Sequence, residues 1–328
     1  MSKPVVLSKN LKKYFNSKKG VVKAVDGVNL SVGQGEIFGF LGPNGAGKTT
    51  TLRMLATLMV PTSGSITIAG YDVVKNPDEV RRHIGYVGQN GGSDRPATGV
   101  ENLLLQGRLY GMSYSEAMAR AKELVKLLQL EDFADRIVYT YSGGQRRRLD
   151  VAIGIMHRPE VLFLDEPTVG LDPQNRANLW EEIAKLKAQG VTIFLTTHYL
   201  EEADALSDRL TIIDQGKIVT EGTPKALKKE VGGDCITIKI EHQKEVGKEL
   251  IDLLKKEAST QYITEDSEFI KIYVKNGAAA VIRLTELLNQ QKLKLHSITV
   301  TEPSLDDVFL KKTGYLLRDK DVDEGGHR

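Results

Sequence analysis

The chain is short of cysteine, since its 328 residues include only one, Cys235. A single cysteine cannot form an intramolecular disulfide, and the sequence has no Cys/His cluster with the spacing of a structural zinc site. A reducing compartment is therefore expected. Cys235 opens an alternating apolar run, which predicts a small buried side chain rather than a reactive thiol.

The chain also has no large excess of charge of either sign. Lysine and arginine together number 45 and aspartate and glutamate 43, so the formal net charge is +2. Such a balance does not give the strongly basic surface that is typical of nucleic-acid-binding proteins. No nucleic-acid partner is expected, and partners have to be inferred from individual sites.

Long apolar runs are missing as well. No uninterrupted stretch approaches the roughly 18 residues of a membrane span, and residues 1–10 lack the apolar segment of a signal peptide. We expect a soluble, cytoplasmic chain that another protein would hold at a membrane. With 41% apolar residues the chain can bury a substantial core, and its length suggests about two domains.

Hydrophobic periodicity divides the first part of the chain into three regions. Short strand patterns over 5–70 are interrupted by the glycine-rich segment 42–50. Helical periodicity dominates 89–158, which we interpret as a helical insert. From 161 to 214, strand patterns alternate with helical ones, which is typical of a mostly parallel sheet with helical crossovers.

The last part of the chain has a different pattern, and its elements follow the order β-α-β-β-α-β. This order indicates a small α+β domain of the ferredoxin-like kind. The predicted elements are a strand at 235–240, a helix at 244–256, a weak strand near Tyr262, a strand at 269–274, a helix at 278–290 and a strand at 295–300.

These patterns predict two domains. The first domain is predicted at 1–230, with the helical insert at about 89–158. An accessory or regulatory domain is predicted at 234–313. The charged, glycine-containing segment 314–328 is predicted to be a mobile tail.

A phosphate-loop pattern, GxxxxGK[ST], lies between a predicted strand and a predicted helix. Its glycines let backbone N–H groups curl around phosphates, and the helix N-terminus adds a favourable dipole. Lys48 would reach the terminal phosphates and Thr49 would bind Mg²⁺. A chance glycine loop is the alternative, which the strand-to-helix context disfavours. The predicted ATP-binding residues are Gly42, Pro43, Asn44, Gly45, Ala46, Gly47, Lys48, Thr49 and Thr50.

Two carboxylates, Asp165 and Glu166, end the apolar run that begins at Val161. The tip of a buried strand is where ligands bind in open α/β sheets. We predict that Asp165 holds Mg²⁺ and that Glu166 orients and polarises the attacking water. On its own, an apolar run that ends in Asp-Glu is often only a strand entering a turn. Its pairing with a phosphate loop favours the catalytic interpretation.

Ser142, Gly143, Gly144 and Gln145 open a predicted helix between these two segments. They resemble the signature motif of the ATP-binding cassette (ABC) ATPases, a family of P-loop NTPases whose signature in one subunit closes over ATP on the other. A serine hydroxyl and backbone donors at a helix N-terminus suit a γ-phosphate. The resemblance implies ATP and Mg²⁺ as cofactors, a homodimer, and separate transmembrane permease subunits that hold the chain on the inner face of the membrane.

Three further positions resemble ABC motifs. Gln89 resembles the Q-loop glutamine, which touches Mg²⁺ and water and reports their presence to the transmembrane partner. His198 resembles the switch histidine, which contacts the γ-phosphate and supports the catalytic glutamate. Asp172 resembles the D-loop aspartate, which communicates across the dimer. The resemblance therefore implies catalytic roles for Gln89 and His198, a Mg²⁺-binding role for Gln89, and a dimer contact for Asp172.

Tyr14 looks like the aromatic residue on which adenine stacks in ABC ATPases, with Val22 as an apolar neighbour. Stacking needs only an aromatic face. Phe15 is an alternative, and either ring could instead belong to the core.

Three stretches, 141–150, 197–204 and 302–310, resemble the daunorubicin-resistance type of exporter ATPase. The last of them lies in the C-terminal domain, so the likeness extends almost to the end of the chain. Gln145 and His198 follow the general ABC pattern where many members of that type have Met and some have Gln. The resemblance implies an ATPase subunit that powers the export of a drug, lipid or other hydrophobic substrate.

Two other functions share these motifs. Soluble ABC ATPases of translation carry two cassettes, and those of DNA maintenance contain heptad coiled coils or zinc motifs, neither of which appears here. A scaffold that does not hydrolyse ATP would lack part of the site, whereas Glu166 and the other positions are all present.

The insert also offers a candidate contact with the membrane partner. The apolar run 100–105, with Leu109 and Tyr110, is predicted to line a groove for a short helix of that partner. The alternative is that this run forms the insert's own core.

Overall fold

The computed structural model describes residues 4–18, 20–240, 253–254, 260–265, 269–291 and 293–315. They divide into two compact units, one ending at Glu221 and the other beginning at Gly222. The predicted boundary lay between 230 and 234. The division comes earlier because the helix Pro224–Val231 packs against the helix Leu305–Thr313 of the second unit.

The strands and helices of the described residues are as follows. The strands are β1 (Val6–Ser17), β2 (Gly20–Val32), β3 (Ile37–Leu41), β4 (Ser63–Ile68), β5 (Tyr71–Asp72), β6 (Ile84–Val87), β7 (Val161–Asp165), β8 (Thr192–Thr197), β9 (Arg209–Asp214), β10 (Lys217–Gly222), β11 (Asp234–Ile240), β12 (Thr260–Glu265), β13 (Ile270–Val274) and β14 (Leu295–Thr301). The helices are α1 (Lys48–Leu55), α2 (Pro77–His83), α3 (Gly99–Leu109), α4 (Tyr114–Leu127), α5 (Gly143–Gly154), α6 (Pro173–Ala188), α7 (Leu200–Leu206), α8 (Pro224–Val231), α9 (Gly277–Gln290) and α10 (Leu305–Thr313), with a 3₁₀ turn at Val138–Thr140.

The larger sheet has the strand order β10-β9-β3-β8-β7-β6, and its pairs from β9 to β6 are parallel. This confirms the predicted mostly parallel sheet. Every residue of β3, β7 and β8 is buried, as expected for parallel strands that are covered on both faces. The carboxyl ends of β3, β8, β7 and β6 therefore lie side by side at one edge, where ligands bind in this class of sheet.

A second, antiparallel sheet has the order β2-β1-β4-β5. The strands β1 and β2 have 12 and 13 residues, so they are longer than the short strands expected from the sequence. Three register shifts in their pairing interrupt the alternation of exposed and buried side chains, which explains why the pattern looks shorter than the hairpin. Val6, Leu11 and Val25 of this sheet share a core with Phe38 and Phe194 of the larger one.

The predicted helical insert is formed by α3, α4 and α5. Its core contains the buried Leu103, Leu124 and Leu149, one from each helix. Each of the three helices begins with a capping box. In it, the side chain of the N-cap residue accepts the backbone N–H of the third helical residue, and the side chain of that residue accepts the backbone N–H of the N-cap. The insert is thus a helical layer with well-defined starting points.

The second unit contains an antiparallel sheet with the order β12-β13-β11-β14. The observed strands, with α9 between β13 and β14, confirm the predicted ferredoxin-like arrangement. The predicted helix at 244–256 lies outside the described residues except for 253–254, which are helical, and the predicted tail lies outside them except for 314–315. Cys235 is buried, in agreement with the predicted small core side chain.

Within the part of the chain that the structure describes, no helix combines the length and the apolar character needed to cross a bilayer.

Candidate active site

The phosphate loop connects β3 to α1 and folds around its own lysine. The ammonium of Lys48 is buried and donates hydrogen bonds to the carbonyls of Gly42 and Pro43, at 2.8 and 3.0 Å. Gly47 has a φ of +103°, and a Cβ there would lie 2.3 Å from the carbonyl oxygen of Ala24. Only glycine fits both constraints. The loop therefore approaches the β2 backbone closely at Gly47.

The tip of β7 faces this loop. Oδ1 of Asp165 accepts hydrogen bonds from the hydroxyls of Thr49, at 3.1 Å, and Thr196, at 2.7 Å. The oxygens of Thr49 and Asp165 suit Mg²⁺, because adjacent oxygens in an octahedral shell of about 2.0–2.1 Å radius are about 3 Å apart. Burial, the largest influence, raises the pKa of Asp165, against the hydrogen bonds from Thr196 and Thr49.

Glu166 is the point on which the predicted catalytic residues converge. Its carboxylate lies 3.2 Å from Nζ of Lys48, 3.3 Å from Nδ1 of His198 and 2.6 Å from Nε2 of Gln89, which donates to it. The structure thus brings together residues from the ends of β3, β8, β6 and β7. Sequence separation between Gln89 and Glu166 is 77 residues, so the sheet rather than local sequence creates this cluster.

The backbone of Glu166 is in the left-handed region, with a φ of +46°. This conformation costs about 1–3 kcal/mol for a residue other than glycine and is concentrated at functional sites. The N–H of Glu166 is held by the carbonyl and the hydroxyl of Thr196, at 3.1 and 3.0 Å. Thr196 therefore supports both acidic residues of the strand tip.

Burial is the largest single influence on the pKa of Glu166 and would raise it. The His198 imidazole and the Lys48 ammonium together outweigh burial, and the pKa is lowered to about 2. Glu166 is consequently ionised at neutral pH and accepts hydrogen bonds only.

The signature residues begin α5, with Ser142 as its N-cap. The backbone N–H of Gln145 donates to the Ser142 hydroxyl, at 3.2 Å, in the capping box of that helix. Ser142 and Gly143 are exposed, as a surface that closes on another subunit requires. A Cβ on Gly144 would lie 2.6 Å from Oδ1 of Asn175, so glycine allows α5 to approach the start of α6.

Asp172 caps α6, because its carboxylate accepts the N–H of Asn175 at 3.0 Å. The same Asn175 touches the position of Gly144. Asn175 therefore contacts both the predicted D-loop residue, Asp172, and the signature residue Gly144, so the two motifs lie next to each other in one chain.

Tyr14 lies on β1 and is half-buried. Its hydroxyl donates to Oδ1 of Asp26, at 2.5 Å, and its ring lies beneath the ammonium of Lys23. Phe15 is paired with Val22 in the register of the hairpin, and both are exposed. Adenine stacking on Tyr14, with Val22 nearby, stays a prediction, and Phe15 remains the alternative.

Three buried residues next to the site were not among the predicted ones. Thr196 holds Asp165 and Glu166, while Arg147 and Asp150 contact the loop that carries Gln89. Arg147 and Asp150 follow the end of the signature by two and five positions, and Thr196 precedes His198 by two positions. Adjacency to a motif was the available signal, but it does not distinguish a supporting residue from an ordinary core residue.

Comparison with known proteins identifies two segments of the chain. Residues 25–169 match the model of the ABC transporter family, and residues 222–313 match the model described as the C-terminal domain of DrrA1-3-like ATP-binding proteins. The second match begins where the second compact unit begins.

Several relatives match over nearly the whole chain. The daunorubicin resistance ATP-binding protein DrrA2 of Streptomyces coeruleorubidus is 42% identical over 93% of this chain and 95% of its own. The doxorubicin resistance ATP-binding protein DrrA of Mycobacterium tuberculosis is 44% identical over 90% of both chains. The Nod factor export ATP-binding protein I of Paraburkholderia xenovorans is 39% identical over 92% of this chain and 95% of its own.

Among solved structures, a dimeric ATP-binding cassette in a post-hydrolysis state, bound to ADP and Pi, matches with a TM-score of 0.61 and 30% identity. It covers 66% of this chain and 98% of that one. The match therefore accounts for about two thirds of this chain and nearly all of the solved cassette. With the phosphate loop, the acidic strand tip and the signature helix in place, the chain belongs to the ABC transporter family and is an ATP-hydrolysing subunit of its exporter type.

Proposed function

We propose that this chain binds ATP between two copies of itself, hydrolyses it with Glu166, and thereby drives export through a separate transmembrane permease. The observation that carries the proposal is the convergence of Lys48, Gln89 and His198 on the carboxylate of Glu166, within 3.3 Å. In this proposal, Lys48 binds a terminal phosphate, Gln89 senses the water, and His198 supports Glu166.

Lys48 links nucleotide binding to the state of Glu166. The ammonium contacts both the loop carbonyls and Glu166, and the β- and γ-phosphates of ATP would compete for it. Since Lys48 contributes to the low pKa of Glu166, a triphosphate that draws the ammonium away makes Glu166 more basic. The substrate would thus activate its own general base.

Magnesium fits the oxygens on the other side of the site. Thr49 and Asp165 would hold it, with Gln89 on the loop next to them. Bound Mg²⁺ would neutralise charge on the β- and γ-phosphates. The residues of the chain then have defined tasks: the phosphate loop positions the triphosphate, Glu166 orients the attacking water, and His198 fixes Glu166.

The test is the substitution Glu166→Gln, which keeps the shape of the side chain and removes its charge. Steady-state ATP hydrolysis should fall by at least about 10²-fold, because the water is no longer polarised. ATP binding should persist. Glu160→Gln, at the exposed residue just before β7, is the matched control and should hydrolyse ATP normally. Near-normal turnover of Glu166→Gln would contradict the proposed role.

Dimerisation and membrane attachment complete the proposal. A single chain carries both a phosphate loop and an outward-facing signature helix, so two copies would form two equivalent sites. The curated relatives are resistance and export proteins, which favours an exporter over an ATPase of translation or DNA maintenance. We infer a peripheral position on the cytoplasmic face of the membrane and a drug, lipid or other hydrophobic substrate.

The contact with the permease is proposed on α3. Leu104 packs against the core of the insert, and the ring of Tyr110 stacks on His157 with 3.7 Å between centroids. Leu105 and Leu109, one helical turn apart, are 55% and 72% exposed. These two leucines are therefore the better candidates for a surface that receives a helix of the permease.

A double variant, Leu105→Ser with Leu109→Ser, should reduce export in cells while ATP hydrolysis by the purified chain and its melting temperature stay unchanged. Ile282→Ser, an equally exposed apolar residue of the second unit, is the control and should leave export intact. Normal export by the double variant would place the contact elsewhere.

A further inference from the structure

The helix that begins with the signature motif, α5, carries two buried charged side chains on one face. Arg147 and Asp150 are three positions apart, so they lie on the same side of the helix. Their exposed fractions are 6% and 5%. Both side chains are directed at the loop 88–93, which follows β6 and contains Gln89.

Arg147 joins three backbone carbonyls. Its guanidinium donates to the carbonyl of Gly88 at 2.6 Å, of Pro167 at 2.8 Å and of Asp165 at 3.0 Å. Gly88 immediately precedes Gln89, and the other two carbonyls flank Glu166. A single rigid group therefore sets the distance between the backbone beside Gln89 and the backbone beside Glu166.

Asp150 holds the other end of the same loop. Its Oδ1 accepts the N–H groups of Gly92 and Ser93, each at 3.0 Å. Gly91 has a φ of +73°, and a Cβ there would lie 2.2 Å from Oδ2 of Asp150. The loop thus passes so close to this carboxylate that a larger residue at position 91 would push the carboxylate aside and would also be strained by the left-handed backbone.

Gln89 lies between the two attachment points, and its amide donates to Oε2 of Glu166 at 2.6 Å. We propose that Arg147 and Asp150 form a clasp that positions Gln89 against Glu166 and makes the loop follow the signature helix. The exposed Ser142 and Gly143 begin that same helix. A movement of the helix on binding at Ser142 and Gly143 would therefore move the loop of Gln89, through the contacts of Arg147 and Asp150. Arg147 and Asp150 are positioning residues, and the proposal rests on the proposed ATPase function.

The test compares Arg147→Lys and Asp150→Asn with the wild-type chain. A lysine ammonium is a single point and cannot span the three carbonyls that the planar guanidinium joins, and asparagine is a weaker acceptor than a carboxylate. We expect kcat to fall about tenfold while the KM for ATP changes less than about twofold, because the phosphate loop is untouched and only the alignment for reaction is lost.

Two control variants imitate these changes at a distance from Gln89. Arg120 is also buried and donates to the carbonyls of Ile155 and Met156, just beyond the other end of α5. Asp72 also accepts two successive N–H groups, those of Val74 and Lys75. Arg120→Lys and Asp72→Asn should lower the melting temperature at most and leave kcat unchanged.

A third variant tests the clasp without altering a charge. Gly91→Ala forces a methyl group against the Asp150 carboxylate and should reproduce the kcat defect of Asp150→Asn. If Asp150→Asn does not fold, Gly91→Ala still tests whether the contact between the loop and Asp150 is needed for a normal kcat.

The decisive measurement is a double-mutant cycle with Gln89→Ala. If the clasp acts through Gln89, then Arg147→Lys or Asp150→Asn lowers kcat by less than about twofold further in the Gln89→Ala background. Additive losses, an unchanged kcat in the folded single variants, or a kcat that falls with melting temperature equally in the control variants would overturn the proposal. Failure of the proposed function would look different, because the wild-type chain itself would not hydrolyse ATP.

Discussion

Each of the two compact units contains a lysine paired with a buried carboxylate, and the two pairs differ in what surrounds them. In the first unit, Lys48 meets Glu166 at 3.2 Å. In the second, Lys271 meets Asp307 at 2.9 Å. Residue types and distances are nearly the same, so the difference in role has to come from the environment of each pair.

Glu166 has a strained backbone at the carboxyl ends of parallel strands, and Lys48 directly follows the phosphate loop and also contacts two of its carbonyls. The Asp307 pair lies within ordinary secondary structure. Asp307 accepts the N–H of Ser304 in a capping box and the hydroxyl of the buried Tyr273, at 2.8 and 2.7 Å. A phosphate could replace Glu166 as the partner of Lys48. In the second unit, Asp307 is instead bonded to Lys271, Tyr273 and Ser304 of the same unit. A buried ion pair thus indicates function where a ligand can compete for it, and stability where none can.

The largest difference is expected when the two lysines are removed. Lys48→Ala should abolish productive ATP binding, with a loss of at least about 10² in affinity or turnover, because phosphate charge is left uncompensated. Lys271→Ala should leave ATP binding and hydrolysis normal and lower only the unfolding free energy. A nucleotide titration and a urea melt on both variants decide this, and normal ATP affinity of Lys48→Ala would remove the contrast.

A smaller effect is expected from Asp307→Asn, which should lower the unfolding free energy by about 1–3 kcal/mol at pH 7. Burial, the largest influence, would raise the pKa of Asp307. The Ser304 N–H, Tyr273 and Lys271 overcome it and hold the pKa below its ordinary value. A lowered pKa means that the folded chain binds fewer protons, so this stabilisation is complete above about pH 4 and is lost as the pH falls further.

Unfolding of wild type and Asp307→Asn should therefore differ at pH 7 and converge below pH 4. Urea melts at several pH values provide the measurement. A difference that stays constant down to pH 3 would mean that Asp307 contributes through packing and not through its charge.

The smallest effect is expected from Tyr273→Phe, which removes one buried hydroxyl from the Asp307 cluster. The unfolding free energy should fall by about 1 kcal/mol, and ATP hydrolysis should not change. Tyr71→Phe, a partly exposed tyrosine of the first unit, is the control and should have no measurable effect. If Tyr273→Phe changed ATP hydrolysis instead, the second unit would have a direct role in catalysis.

The same contrast explains what could be predicted from the sequence. Three motifs could be predicted because each consists of contiguous residues with characteristic chemistry: the phosphate loop, the Asp165–Glu166 tip and the signature. In the second unit, the alternation of strands and helices was sufficient to predict the topology. The predicted first domain includes the helix Pro224–Val231, and its contact with the helix Leu305–Thr313 could not be foreseen because the two lie about 80 residues apart. Arg147 and Asp150 were missed because a buried charge is recognised only by what it contacts.

The central claim, that two copies of this chain hold ATP between a phosphate loop and a signature helix, is tested most directly by the mass of the particle in solution. Glu166→Gln, measured by size-exclusion chromatography with light scattering, should be monomeric without nucleotide and dimeric with ATP. Adding Ser142→Arg should prevent the dimer while each chain still binds ATP, since the bulky cation lies at the closing surface. A monomer with saturating ATP, or a dimer that persists with Ser142→Arg, would contradict the account.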